Sequence, residues 1–294
     1  MSASLPRLCV GLPVYNGEKY LAQALDSLLE QTCADFQLLI ADNASTDGTE
    51  RICRTYAARD PRIRYYRNTE NIGAARNWYY VFELCQCEYF KWAAHDDIYA
   101  PEFLQRCVEA LDQDHSIILC YTRTKVIDAH GNFERDFALA GDTHSTKPHV
   151  RLYSMIGIDL LCVQMYGVMR AEALRKAHVY MGYPGWDRNT LAELSLMGRI
   201  CELPEYLFYH RLYPEAWGAA INSGMSIQKL LLYDPTINWS ARITFSKRFY
   251  NYFAAVSRVP LGRFERMLCY LQLLRLIADK SARRFNVAFR RLGS

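Results

Sequence analysis

The sequence predicts an α/β protein, a sheet that is mostly parallel with helices on both faces, followed by a C-terminal helical region. Three observations point there. Short apolar runs alternate with helix-spaced ones over residues 8–121, polar clusters follow the ends of several of those runs, and residues 225–291 read as helical with interleaved arginines. Alternation of strand and helix means βαβ units, whose parallel strands need helices on both faces.

Leu8 to Leu12 is short and apolar enough for a buried strand, and Leu21, Ala24, Leu25, Leu28 and Leu29 then recur at helical spacing. Phe36 to Ala41 is a second strand, followed by a helix with Ile52, Cys53 and Tyr56 on one side. Ile63 to Tyr66 is a third strand, residues 74–84 a helix, and Tyr89 to Ala93 a fourth strand. Pro101 stands where a first helical turn tolerates it, ahead of Phe103, Leu104, Cys107, Val108 and Leu111, and Ile117 to Tyr121 is a fifth strand. Asp128 to Asn132 is a turn, Gly141 to Pro148 a polar and mobile stretch, and residues 151–212 mix helix and strand signals. Residues 1–125 thus read as a first βαβ half, 126–224 as the second half of the same domain, and 225–294 as a basic helical region.

A chain of 294 residues with 51% hydrophobic and 22% charged residues has the make-up of a globular enzyme, which excludes disorder, collagen and coiled coil. The net charge of +4 is too small to imply nucleic acid. Its distribution is uneven. Residues 244–294 hold eleven basic and two acidic side chains, leaving 24 basic against 29 acidic in residues 1–243. The ten cysteines sit mostly in apolar runs without a CxxC pair and read as core thiols of a reducing compartment, neither a disulfide frame nor a zinc site. With no signal core at the N-terminus and no run of about 18 apolar residues, the expected location is cytoplasmic, with peripheral contact at the inner face of the membrane as an addition.

Ligands of an open parallel sheet bind outside the carboxyl ends of its strands. Three polar clusters fall at such ends: Pro13-Val14-Tyr15-Asn16-Gly17, Asp42 to Thr49, and His95-Asp96-Asp97. Neither GxGxxG nor GxxxxGK[ST] is present, so phosphate recognition by a dinucleotide fold or a P-loop is unsupported. Carboxylates instead suit a diphosphate held through Mg²⁺ or Mn²⁺. Asp96-Asp97 are the natural holders, since adjacent acids repel and gain from a shared cation. The plainer alternatives are helix caps, at Asp96-Asp97 before the helix near Pro101 and at Asp47, where capping accounts for the residue fully.

Taken in order, Leu12 to Gly17, Ile40 to Thr49, Asn71-Ile72-Gly73 and Trp92 to Asp97 resemble the inverting family 2 glycosyltransferases of the GT-A fold, strongly over residues 7–125 and more loosely over 160–212. The resemblance implies a nucleotide-binding sheet, with residues 1–125 as the nucleotide-sugar-binding half and 126–224 as the acceptor-binding half, and sugar transfer from a nucleotide-diphosphate donor to a hydroxyl of a saccharide or lipid-linked acceptor, in polysaccharide or glycoconjugate biosynthesis. By position it implies that Pro13 and Tyr15 flank the nucleotide base with Asn16 beside them, that Asp42 hydrogen-bonds the base, and that Arg76 approaches the nucleotide or its phosphates. Asp96 would bind the ribose or donor sugar and Asp97 the metal. His95 stands where the family's DxD motif has its first acid.

Inverting transfer needs one base for the acceptor hydroxyl. The family usually has an acid just before the helix expected from Arg188 to Met197, which makes Asp187 the candidate; its plain alternative is an N-cap. Glu193 is the second choice, otherwise solvated or paired with Arg199. His210 would complete the metal site, as many relatives carry a histidine after this strand. Tyr183, Trp186 and Trp217 form either an acceptor platform or core. The basic C-terminal region either lies on an anionic membrane or packs as a bundle on the catalytic sheet. Rival functions are a sugar nucleotidyltransferase, which should have a Gly-rich basic loop after strand one, and a noncatalytic sugar-nucleotide or membrane-surface module.

Overall fold

The computed structural model describes residues 6–137, 141–157, 161–178, 185–213 and 241–292, with side chains of 247–279 in the last segment. The first apolar run is β1 (Leu8–Val14), buried at every position. It pairs in parallel with β2 (Phe36–Asp42) and β4 (Tyr89–Trp92), and β3 (Ile63–Arg67) extends β2 in parallel. Layers on both faces explain why these runs are apolar without alternation. Helices α1 (Leu21–Leu29), α2 (Thr49–Arg59) and α3 (Ala74–Glu83) make the crossovers. The first buries Leu21, Ala24, Leu25 and Leu28, the spacing read from sequence.

Beyond β4 the chain forms β5 (Ile98–Tyr99), α4 (Phe103–Gln113), β6 (Ile117–Ile127), β7 (Phe133–Phe137), α5 (Pro148–Ile156), β8 (Val168–Arg170), α6 (Ala171–Lys176), α7 (Trp186–Met197) and β9 (Arg199–Arg211). Among the described residues one nine-stranded sheet runs β3-β2-β1-β4-β8-β6-β9-β5, with β7 on the side of β6. Strand β8 lies antiparallel between β4 and β6, β9 is parallel to β6, and β5 and β7 are antiparallel to their partners. Strands β1 to β4, β6 and β9 therefore share one direction, and β5, β7 and β8 oppose it. The α/β class and the parallel first half agree with the sequence reading. The stretch expected to be mobile is instead fastened at Thr143, which exchanges hydrogen bonds of 3.0 Å with Ile200 of β9.

The cysteine reading is corrected by the sheet. Cys9 and Cys87 form a disulfide with Cα atoms 5.8 Å apart, and Cys85 adds a third buried sulfur, all within 4.8 Å. The pairing of β1 with β4 joins residues 78 apart, a contact that close spacing of cysteines does not announce. The cluster lies at the amino end of β1, away from the edge where ligands bind.

Helices α8 (Ala241–Arg258) and α9 (Arg263–Leu292) follow. Phe249, Tyr252, Val256, Cys269 and Leu273 form one apolar cluster with Leu152 and Ile156 of α5 and Ala192 and Leu196 of α7. The bundle reading of this region thus describes its inner face. Glu193 is neither solvated nor paired with Arg199: it is 1% exposed and takes a 2.8 Å ion pair from Arg258, while Arg199 pairs with Asp114. Helix α7 turns Glu193 towards α8, a neighbour no local pattern announces. Replacing Arg258 with Ala leaves the Glu193 carboxylate without this partner and is expected to cost about 2 kcal/mol of stability. A urea midpoint unchanged from the parent would show that this pair does not hold the C-terminal helices.

Candidate active site

The carboxyl ends of β1, β2 and β3 lie side by side, with Val14 in register with Asp42 and Asp42 with Arg67. Their loops are tied to one another. The Asn16 N–H donates to Ser45 Oγ at 2.9 Å, Thr46 N–H returns to Asn16 Oδ1 at 2.8 Å, and Gly17 N–H donates to Thr49 Oγ1 at 2.9 Å. Asn43 Oδ1 accepts from Ile72 N–H at 2.9 Å and its amide donates to Asn71 Oδ1 at 2.7 Å, drawing the Asn71-Ile72-Gly73 loop to the same rim. Such turns place Asn16 (φ +51°) and Ala44 (φ +60°) in the left-handed region, a local strain the hydrogen bonds sustain. At Gly17 a Cβ would meet His95 Cδ2 at 2.8 Å, so the missing side chain lets the segment after β4 close against β1.

Asp42 is wholly buried; Ser45 N–H and the Tyr65 hydroxyl donate to its two oxygens at 2.9 and 2.7 Å. Burial, and then this carboxylate, push the Tyr65 phenol well up. Asp47 accepts from Thr49 N–H at the start of α2 and from Glu18 N–H, both at 3.0 Å, but the N-cap of α2 is Gly48, so Asp47 stands one residue before the cap. Pro13 is buried, Tyr15 half-buried, and Arg76 exposed in the first turn of α3.

The acid pair follows β4 at the same edge. Helix α4 begins only at Phe103, after β5, so Asp96 and Asp97 do not cap it. Asp97 is 0% exposed; its Oδ1 accepts from Arg211 N–H at 2.9 Å and lies 3.0 Å from His210 Nδ1. Its Oδ2 is buried with no hydrogen-bond partner among the described residues. An uncompensated buried carboxylate oxygen is costly, and it is the kind of group a hard cation satisfies. Burial works against charge on His210, but the Asp97 carboxylate outweighs it and raises the imidazole above its ordinary value. Asp96 Oδ2 accepts from the Tyr213 hydroxyl at 2.8 Å.

Arg211 organises this corner. Its buried guanidinium donates to the Asp96 carbonyl at 2.9 Å, the Asp128 carbonyl at 3.1 Å and Gln23 Oε1 at 2.7 Å, and it lies 4.6 Å from the Tyr20 ring centre. Beneath it Lys91 is fully buried, donating to the carbonyls of Trp92 and Tyr166 and standing 3.8 Å from the Tyr99 ring centre. Burial holds this ammonium well below its usual range.

Helix α7 starts at Trp186, two residues before its expected start, so Asp187 lies in the first turn and not at the N-cap, which is Gly185 (φ +88°). Asp187 Oδ1 accepts from Arg188 N–H at 2.8 Å. Trp186 packs edge-on against Trp78 and Trp92, with ring centres 5.8 and 6.3 Å away, and is a half-buried side chain resting on the core. Tyr183 and Trp217 lie outside the described residues. The Tyr166 ring lies 6.1 Å from that of His210 and 5.9 Å from that of Trp78, centre to centre. Burial first, and then the charges of Asp97, Asp96 and Asp187, hold its phenol well above its ordinary value.

The sequence reading passed over Arg211, Tyr213, Tyr166 and Tyr65. Arg211 left a signal, a lone cation inside the otherwise apolar and aromatic run Leu207 to Tyr213. The others are tyrosines among 21, marked only by what they touch.

Sheet order, parallel crossovers and the acidic rim define a glycosyltransferase framework of the GT-A type. The chain belongs to glycosyl transferase family 2, whose family model matches residues 9–176. Chondroitin synthase of Escherichia coli is 33% identical over 129 residues, 44% of this chain and 18% of that protein. An uncharacterized glycosyltransferase of Rickettsia conorii is 35% identical over 125 residues, 41% of this chain and 20% of that protein. The chain thus matches about a fifth of the length of these curated relatives. Among solved structures, S. aureus TarS 1-349 in complex with UDP-GlcNAc superposes with a TM-score of 0.68 at 16% identity, covering 91% of this chain and 71% of that one. The mannosyltransferase PcManGT from Pyrobaculum calidifontis, in complex with GDP-Man and Mn²⁺, gives 0.55 at 16% identity, covering 95% and 76%. At these identities the structures show a shared fold.

Arg211→Lys keeps the charge but not the forked geometry that reaches three acceptors. It is expected to lose about 2–3 kcal/mol of stability, read from thermal and urea unfolding. Unfolding that matches the parent would deny Arg211 its organising role.

Proposed function

We propose that the protein transfers a sugar, with inversion, from a nucleotide-diphosphate donor to a hydroxyl of a saccharide or lipid-linked acceptor, in polysaccharide or glycoconjugate biosynthesis. The observation that carries this reading is the buried Asp97 Oδ2 without a hydrogen-bond partner at the carboxyl edge of the sheet. It fits Mg²⁺ or Mn²⁺, which favour carboxylate oxygens and leave further positions to phosphate and water. Asp97 is the proposed ligand, with His210 at its side as the second. The sulfur cluster at the other end of β1, the Cys9–Cys87 disulfide with the Cys85 thiol beside it, offers no oxygen donor and suits neither ion. That TarS is solved with UDP-GlcNAc and PcManGT with GDP-Man and Mn²⁺ supports a nucleotide-sugar donor and a divalent ion on this fold.

When bound, the cation neutralises charge developing on the departing diphosphate. The protein's own groups position the rest. Pro13, Tyr15 and Asn16 form the base side of the donor site, with Asp42 at its floor, steadied by Tyr65 and Ser45. Arg76, exposed on α3, reaches towards the phosphates, and Asp96, oriented by Tyr213, towards the ribose or donor sugar. Asp187 takes the proton of the acceptor hydroxyl as its oxygen attacks the anomeric carbon and the bond from that carbon to the diphosphate breaks. It stands in the first turn of α7, at the positive end of the helix dipole.

Asp97→Asn is expected to weaken Mn²⁺-supported binding of a nucleoside diphosphate by about a hundredfold in calorimetry; unchanged affinity would remove the cation from Asp97. Asp187→Asn should leave that binding intact while transfer, followed by nucleotide release across a panel of donors, drops by about a thousandfold. Full turnover in this variant would assign the base elsewhere, and a parent protein that binds donors without releasing nucleotide would be a noncatalytic module.

A further inference from the structure

The outer face of α9 is apolar and uncovered. Phe264, Met267, Leu271 and Leu274 are 67%, 49%, 52% and 55% exposed, while Cys269, Leu273 and Leu276 of the same helix are buried against the body of the protein. Spacings of three, four and three residues align the exposed four in one row. In sequence the same spacing continues at Phe285, Phe289 and Leu292, within the span of the helix. By helical register Arg263 and Arg275, both exposed, flank the row on its two sides. A contiguous apolar row with a charged border marks an interaction surface.

The charge of the helix selects the partner. Over Arg263–Leu292 the sequence holds eight Lys and Arg against two acidic residues. A second copy laid along the same row would bring two strongly cationic helices together, whereas an anionic surface at the row is met by Arg263 and Arg275 at its borders and attracted by the net charge of the helix. Among the described residues no helix is long and apolar enough to cross a membrane. An amphipathic cationic helix of this kind lies in the plane of the interface, its apolar side at the acyl boundary. We propose that α9 docks the protein on an anionic lipid surface, with Phe264, Met267, Leu271 and Leu274 entering the acyl boundary and the flanking arginines on the lipid phosphates. This contact goes beyond the transfer reaction and does not depend on it, because vesicle binding is read without donor, acceptor or metal.

The full chain should float with phosphatidylcholine vesicles containing about one-third phosphatidylglycerol and bind about tenfold less to vesicles of phosphatidylcholine alone. Leu271→Glu/Leu274→Glu removes apolar contact and adds repulsion, and is expected to lower the bound fraction about tenfold. Arg263→Glu/Arg275→Glu should lower it as well and make the remainder insensitive to lipid charge. All four positions are exposed, so circular dichroism melts should match the parent, and a variant that melts early is replaced by Leu271→Gln/Leu274→Gln with the same expectation. Equal flotation with neutral and anionic vesicles, or parent and Leu271→Glu/Leu274→Glu floating alike, overturns the proposal. So does a parent that fails to float and is a dimer by light scattering while the same variant is a monomer, which would make a second copy the occupant of the row.

Discussion

The arrangement of the acidic rim depends on how one buried charge is compensated. Asp97 sits in the segment after β4 with no solvent contact, and the last residues of β9, more than a hundred positions later, supply the backbone N–H and the imidazole that face its Oδ1. Removing a carboxylate from water costs several kcal/mol unless such partners are in place. The burial of Asp97 therefore fixes the end of β9 against the end of β4. Arg211, brought there by the same pairing, spends its guanidinium on the Asp96 and Asp128 carbonyls and on Gln23 of α1. One carboxylate thus ties the parallel first half of the sheet to the mixed second half.

Much of the first half was legible in the sequence because its information is local. Strands buried on both faces are short apolar runs, and helices such as α1 place their leucines at helical spacing, so strand limits near Leu8, Phe36, Ile63 and Tyr89 follow from composition alone. Strand β9 was less legible. It borders the sheet beside a two-residue strand and is only partly buried, so Arg199–Arg211 shows neither a continuous apolar run nor clean alternation. The acidic clusters could be found as residues at strand ends, but their surroundings could not. What Asp42 and Asp97 touch comes from Tyr65, His210 and Arg211, and what Glu193 touches from Arg258. Cys9 and Cys87 failed for the same reason, since a contact set by the order of strands leaves no trace in spacing.

The C-terminal helices show two demands met by one element. Their inner faces bury Phe249, Val256, Cys269 and Leu273 against α5 and α7, and His149 of α5 lies 2.8 Å from Glu265 across that seam. Helix α9 is therefore held from one side by ordinary core packing, while Phe264, Met267, Leu271 and Leu274 on its other side stay exposed. An acidic body and a basic end, plain already in the composition, then give the molecule an electrical polarity.

The knotting of the rim loops has a further consequence. Because the segments after β1, β2 and β3 are hydrogen-bonded to one another through Asn16, Ser45, Thr46, Asn43 and Asn71, this wall of the cleft is pre-organised. A ligand settling there loses its own freedom but imposes little new order on the wall, so less of the binding free energy is consumed. Under the proposed function, discrimination on this side is accordingly that of a mould, exerted by shape at first encounter, with a poorly fitting base rejected through fast dissociation.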